Sequence, residues 1–272
     1  MITTLIKKFR GIVSPDTLES TGAFFRKKIA YLGGLTILVG NFYKHASKRP
    51  VITKELKEQC FHVGVSSMPI AAVTLFFVGV VFAFQFGITL RALGAVQFIG
   101  RVTTVSLVRE LGPVFTALVV GGRIGAGMAA EIASMRVTEQ IDAIRALGAS
   151  PIRKLIVPRI LAATFMIPLV SILATVIGAF GAVIISWGEF RVSPVSFYGS
   201  SIATVKMIDF ISGFTKTFFF GFGIALVGCY EGLFCDFGTK GVGRATTRAV
   251  VNVSLVIVFT DFFLTRIFAY FL

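Results

Sequence analysis

Charge is scarce in this chain, and acidic charge is the scarcer kind. Asp and Glu number 13 against 27 Lys and Arg, and together they make up only 15% of 272 residues. Hydrophobic residues account for 55%, and mean hydropathy is +0.87. That excludes an ordinary soluble domain and points to an integral membrane protein. Cysteine is also sparse. Cys60, Cys229 and Cys235 give no disulfide framework, and the Cys229–Cys235 spacing fits no usual metal motif. Two histidines, His45 and His62, are too few for a metal site or a His-based catalytic centre. The expectation is therefore no metal and no catalytic residue. A net charge of +14 does not imply nucleic acid, because no polar basic domain is present. Basic residues of membrane proteins gather in cytoplasmic segments, which accounts for the excess.

Other motifs are missing. No G-x-x-x-x-G-K-[ST] loop occurs, and Gly238–Gly243 carries its glycines and Lys240 in the wrong order. This chain is not expected to bind or hydrolyse nucleotide. No G-x-S-x-G occurs, and neither histidine opens an H-x-x-x-x-D pattern, which weakens the reading as a membrane-embedded lipid-modifying enzyme. No signal peptide is read at the start. Ile2, Leu5, Ile6, Phe9, Ile12 and Val13 recur at helical spacing, and no small-residue cleavage site follows.

Long hydrophobic runs are abundant. Five can cross the hydrocarbon, which takes roughly 20 residues: 64–88, 102–122, 155–186, 207–234 and 250–271. Ile29–Tyr43 is shorter, holds Gly33, Gly34 and Gly40, and reads as lying in or dipping into the interface. The predicted fold is all-α: an N-terminal amphipathic interfacial region over 1–63, then a transmembrane domain over 64–272. Residues 1–63 hold 11 Lys and Arg, 123–159 hold 6 and 235–249 hold 3. The opposite side holds Arg91, Arg101, Arg191 and Lys206. The N-terminus is thus expected in the cytoplasm.

Charges inside spans are costly and become functional candidates. The second span carries Arg109 and Glu110, followed by Gly112 and Pro113. Pro113 has no N–H, so the Arg109 carbonyl loses its helical partner, and Gly112 weakens the same turn. Neighbours on a helix diverge by about 100°, so Arg109 and Glu110 must face different directions. The pair either lines a cavity or forms structural ion pairs with neighbouring helices. Asp209 and Lys216 share a face of the fourth span, with Asp209 either in that cavity or at the interface. Asp261 lies in the fifth span, with Thr265 one turn on. A nearly neutral polar cavity of this kind suits an amphiphile with a charged head. Gly121, Gly125 and Ala129, and Gly178 with Ala182, predict close helix packing.

Residues 139–147 read as a short cytoplasmic helix between the second and third spans. Thr138 can cap its start, and Glu139 and Asp142 suit its first turn. Arg145 lies near its end, Gly148 suits a left-handed stop and Pro151 forbids continuation. Ile141, Ile144 and Leu147 fall on one side. Such a helix is a candidate docking point for a partner.

These residues carry a resemblance. Arg109–Val114, Gly122–Ala126, Ala130–Ala143, Leu147–Pro151 and Arg244–Val251 are similar to the MlaE/YrbE permeases of ABC transporters. The resemblance covers roughly 64–272. It implies a homodimeric permease of five spans per subunit, coupled to a cytoplasmic ABC ATPase that would carry ATP and Mg. It implies an MCE-domain (MlaD-like) partner on the outer side and, in some systems, a STAS-domain subunit. The implied cargo is phospholipid, moved between inner and outer membranes. The implied location is the inner (cytoplasmic) membrane of a diderm bacterium, or alternatively a plastid inner envelope. The family's lipid cavity carries over to Arg109, Glu110, Lys216 and Asp261, beside which Asp209 is placed. Its ATPase-coupling region carries over to about Glu131–Gly148, including Glu131, Arg136, Glu139, Asp142, Arg145 and Gly148. A scaffold that only anchors other subunits is a further reading, but it leaves the charges within the spans unexplained.

Overall fold

The computed structural model describes residues 15–46 and 53–270, and all regular structure in them is helical. In chain order the helices are α1 (Pro15–Ala46), α2 (Thr53–Val63), α3 (Met68–Ala92), α4 (Ile99–Ser106), α5 (Gly112–Val137), α6 (Gln140–Ala146), α7 (Val157–Phe190), α8 (Pro194–Ile202), α9 (Met207–Leu233) and α10 (Thr239–Phe268). Two π turns, Leu107–Leu111 and Ile152–Ile156, join α4 to α5 and lead into α7. Five stretches are long and apolar enough to cross a membrane: Lys54–Ala92, Val96–Val137, Ile152–Phe190, Met207–Leu233 and Thr239–Phe268. Each overlaps one predicted span. The chain is an all-α, multi-pass membrane protein.

The spans pack through small residues. A Cβ at Gly79 of α3 would overlap the Gly178 carbonyl of α7, so only glycine permits that crossing. The predicted stripe on α5 packs within the chain: Gly121 faces Ile224 of α9, and Gly125 faces Val253 of α10. Phe220 and Ile224 of α9 are fully enclosed, with Ile132, Ile160 and Ile257 from α5, α7 and α10. α9 is thus the central helix. α10 is peripheral and leaves Val251, Leu255, Phe259 and Phe263 exposed.

Two local expectations differ from the structure, at the start of α6 and at the start of α10. Thr138 does not cap α6; its hydroxyl donates to the Ser134 carbonyl and closes α5 instead. Glu139 takes the N-terminal position in a left-handed conformation, φ 59°, because the chain reverses there between two helices. The 235–249 loop is largely helical, since α10 begins at Thr239. Its first turns carry Arg244 and Arg248, which a hydropathy window excludes although a helix can continue past the apolar zone. Ile29–Tyr43 is part of a continuous helix of 32 residues. One side of that helix rests on α9, with ring centroids 4.9 Å apart for Tyr31–Tyr230 and 5.7 Å for Phe42–Phe222. The predicted amphipathic segment 2–13 lies outside the described residues.

Candidate functional site

Pro113 sets the geometry of the charged turn. With no N–H at Pro113, an α-helical bond to the Arg109 carbonyl is impossible. The chain widens into the π turn Leu107–Leu111, and the Gly112 N–H reaches back to the Leu107 carbonyl. A side chain on Gly112 would strike Thr175 of α7, so glycine is required at this joint. The Arg109 carbonyl is left without its α-helical donor. Lys216 of α9 fills that gap, with Nζ 3.4 Å from the oxygen.

Arg109 and Glu110 point in different directions, as helical geometry requires. Arg109 reaches α9, where Nη2 lies 2.6 Å and Nε 2.7 Å from Asp209 Oδ1. The other Asp209 oxygen accepts the Lys206 backbone N–H at 2.9 Å, which holds the start of α9. Asp209 is therefore buried and paired within the protein. Glu110 pairs with Lys216, and Asp261 of α10 lies 3.1 Å from the same ammonium. Lys216 donates to the Thr265 hydroxyl at 2.7 Å, and that hydroxyl donates to Glu110 at 3.3 Å. The ammonium thus has four acceptors around it for three N–H bonds. Lys216 is 1% exposed, but the side chains of Glu110 and Arg109 are 39% and 34% exposed. One edge of the cluster is open. All five residues singled out as cavity candidates meet in this double ion-pair cluster.

Behind the turn lies an apolar cleft of about 190 Å³, lined by Val108, Pro113, Thr175, Phe210 and Phe214. Its threonine hydroxyls are already spent: Thr175 donates to the Ser171 carbonyl, Thr217 to the Phe214 carbonyl, and Thr104 pairs with the Ser201 hydroxyl. The cleft can hold a hydrocarbon chain but offers little to a charged group.

The second predicted region is less unified. Ile141 of α6 is buried, Ile144 is half-buried and Leu147 is 85% exposed. Asp142 and Arg145 pair at 2.8 Å on the outer surface, and Gly148 closes the turn at φ 75°. Between α6, α1 and the end of α9 lies a cleft of about 370 Å³, which Arg136, Asp142 and Arg145 line. The Arg136 guanidinium sits 5.7 Å over the Phe237 ring. Glu131 faces elsewhere. It pairs with the buried Arg159 of α7 at 2.8 Å, and His62 of α2 lies 3.8 Å away. Glu131 is thus tied to the packing of α2, α5 and α7, apart from the α6 cleft.

One buried carboxylate was passed over in the sequence. Glu231, in the last turn of α9, lies 3.1 Å from Arg248 Nε and accepts from Asn252 at 2.7 Å. Asn252 also donates to the Tyr31 hydroxyl at 3.2 Å. Burial, then the charge of Glu231, pushes the Tyr31 phenol well above its ordinary range. The signal was the same one that marked Asp261: an acid within an apolar run.

The profile of the family Permease MlaE matches residues 56–267. The chain belongs to this family. The permease is 40% identical over 247 residues to a probable ABC transporter permease protein of Synechocystis, covering 91% of this chain and 92% of that one. It is 39% identical over 220 residues to a probable ABC transporter permease protein of Rickettsia typhi, covering 81% and 85%. It is 34% identical over 215 residues to a probable ABC transporter permease protein of Pyropia yezoensis, covering 79% and 82%. The protein is an ABC transporter permease, and the matched stretch contains both the charged cluster and α6.

Proposed function

We propose that this permease moves phospholipid between membranes, driven by ATP hydrolysed on a separate ABC ATPase subunit that carries the nucleotide and Mg. The carrying observation is the cluster around Lys216. It holds a buried ammonium among Glu110, Asp261, Thr265 and the Arg109 carbonyl, and it opens on one edge. Charged groups in a membrane protein persist where they meet a polar ligand or a wet cavity. Exposed Phe259, Phe262 and Phe263 on α10 give lipid tails an apolar path beside it. Arg109 and Asp209 hold the π turn in place, and Glu110, Lys216 and Asp261 meet the head.

The segment from Arg136 to Gly148 receives the ATPase. Exposed Glu139, Asp142 and Arg145 make the contact, while Ile141 anchors α6 to the bundle. The working unit is a homodimer with an MCE-domain protein outside and, in some systems, a STAS-domain subunit. It lies in the inner membrane with the N-terminus and α6 in the cytoplasm, or in a plastid inner envelope. The test is reconstitution of the permease with its ATPase in donor vesicles. Glu110→Gln should cut lipid transfer at least about tenfold while the complex still assembles. Full transfer by Glu110→Gln and Asp261→Asn proteins would remove the cluster from the lipid path.

A further inference from the structure

A second polar cleft lies at the opposite end of α9 from the Lys216 cluster. It occupies about 540 Å³ between α1, α9 and α10, and Lys28, Tyr31, Tyr230, Phe234, Arg248 and Asn252 line it around Glu231. The Glu231 carboxylate is not the recognition element. One of its oxygens accepts from Asn252 and the other faces Arg248.

Arg248 is the informative residue. Its Nε lies 3.1 Å from Glu231 but makes no hydrogen bond of good geometry to it. Its two terminal nitrogens meet no acceptor among the described residues, and its side chain is 42% exposed. The planar end of a guanidinium is a bidentate fork for carboxylate or phosphate. Lys28 of α1 lines the same cleft, which brings a second cation to its wall, and the one acid of that lining is already engaged.

The walls decide what kind of anion fits. Tyr31 packs edge-on against Tyr230, and Tyr230 lies 4.7 Å from Phe234. These rings suit an amphiphile better than a free ion. Arg248 also begins a stripe on α10, because positions three or four apart share a face. Val251, Leu255 and Phe259 continue that stripe and are all about half exposed or more. A head held at Arg248 would lay its tails along them. Basic pockets between membrane helices on the cytoplasmic side are known to hold anionic headgroups.

We propose that this cleft binds the phosphate head of an anionic phospholipid, held in place rather than transported, which fastens α1 to α9 and α10. The proposal does not rest on the lipid-transfer reading. Its test uses the full-length permease with its ATPase in detergent, titrated with phosphatidylglycerol, phosphatidylcholine or inorganic phosphate. Native mass spectrometry reads bound lipid, and thermal melting reads protection. Phosphatidylglycerol should bind about tenfold tighter than phosphatidylcholine, and Arg248→Gln should abolish that preference. Arg248→Lys should restore part of it, since charge returns without the fork. Lys28→Gln removes the second cation of the cleft while keeping Arg248 and Glu231 in the sequence, and it should weaken phosphatidylglycerol severalfold, which keeps the test open if Arg248→Gln fails to fold. Equal binding of the two lipids, unchanged binding in Lys28→Gln and Arg248→Lys, or equal protection by inorganic phosphate would each overturn the proposal. Glu110→Gln should lose lipid transfer but keep this binding, so the two readings fail separately.

Discussion

Lys216 shows how much a single side chain organises here. It ties together α9, α10 and the π turn by answering two acids, a hydroxyl and the Arg109 carbonyl. Removing it with Lys216→Met leaves two carboxylates facing each other, and breaking a buried pair costs about 3–5 kcal/mol. Thermal melting should record that loss, and adding Glu110→Gln with Asp261→Asn should recover part of it. Pro113 makes the opposite case. Pro113→Ala supplies an N–H for the Arg109 carbonyl, in competition with Lys216. Melting temperature should hold or rise while lipid transfer falls severalfold; full transfer would show that the π turn is not needed. These five charged residues were legible in the sequence because a charge inside an apolar run stands out. Their pairing was legible only in part. The divergence of Arg109 from Glu110 follows from helical geometry, but which partner each meets depends on the packing of α9 and α10. Glu231 escaped because its charged partner Arg248 lies on a part of α10 outside the predicted fifth span, and Asn252, just inside that span, carries no charge to stand out.

Among the elements, α6 was the clearest from sequence, read at 139–147 and found at Gln140–Ala146. Its stop signal at Gly148 was correct, but its start was not. Thr138 lies within reach of a carbonyl behind it, and closing α5 competes with capping α6. That leaves Glu139 in a left-handed backbone, where a non-glycine residue is strained. Asn adopts that conformation more readily than Glu. Glu139→Asn should therefore hold or raise the melting temperature by a degree or two while weakening ATPase association, measured by co-purification. Unchanged association would remove Glu139 from the contact. The α3–α7 crossing makes a separate prediction. Gly79→Val should cost about 1–3 kcal/mol, since the Gly178 backbone cannot retreat like a flexible side chain. Small-residue spacing announced close packing but not which helices meet, and the stripe on α5 proved to face α9 and α10.

At the scale of the whole molecule, five crossings were legible because hydrocarbon thickness sets their length. The π turns were not, since a single extra residue in a turn leaves no periodic trace. The proposed orientation can be measured. In a Cys60→Ser background, Glu139→Cys should react with a membrane-impermeant maleimide only after permeabilisation, and Ser193→Cys in intact cells. The reverse pattern would invert the topology. α9 gives this architecture its mechanical character. It has neither a proline nor a π turn, unlike the spans containing α5 and α7. Lys216 near one end belongs to the charged cluster, and Leu233 at the other lines the α6 cleft about 26 Å away along the axis. A shaft with no hinge cannot absorb a push at one end. On the proposed reading, a displacement of its foot would pass along the helix toward the ammonium, and the two sites would keep time with each other.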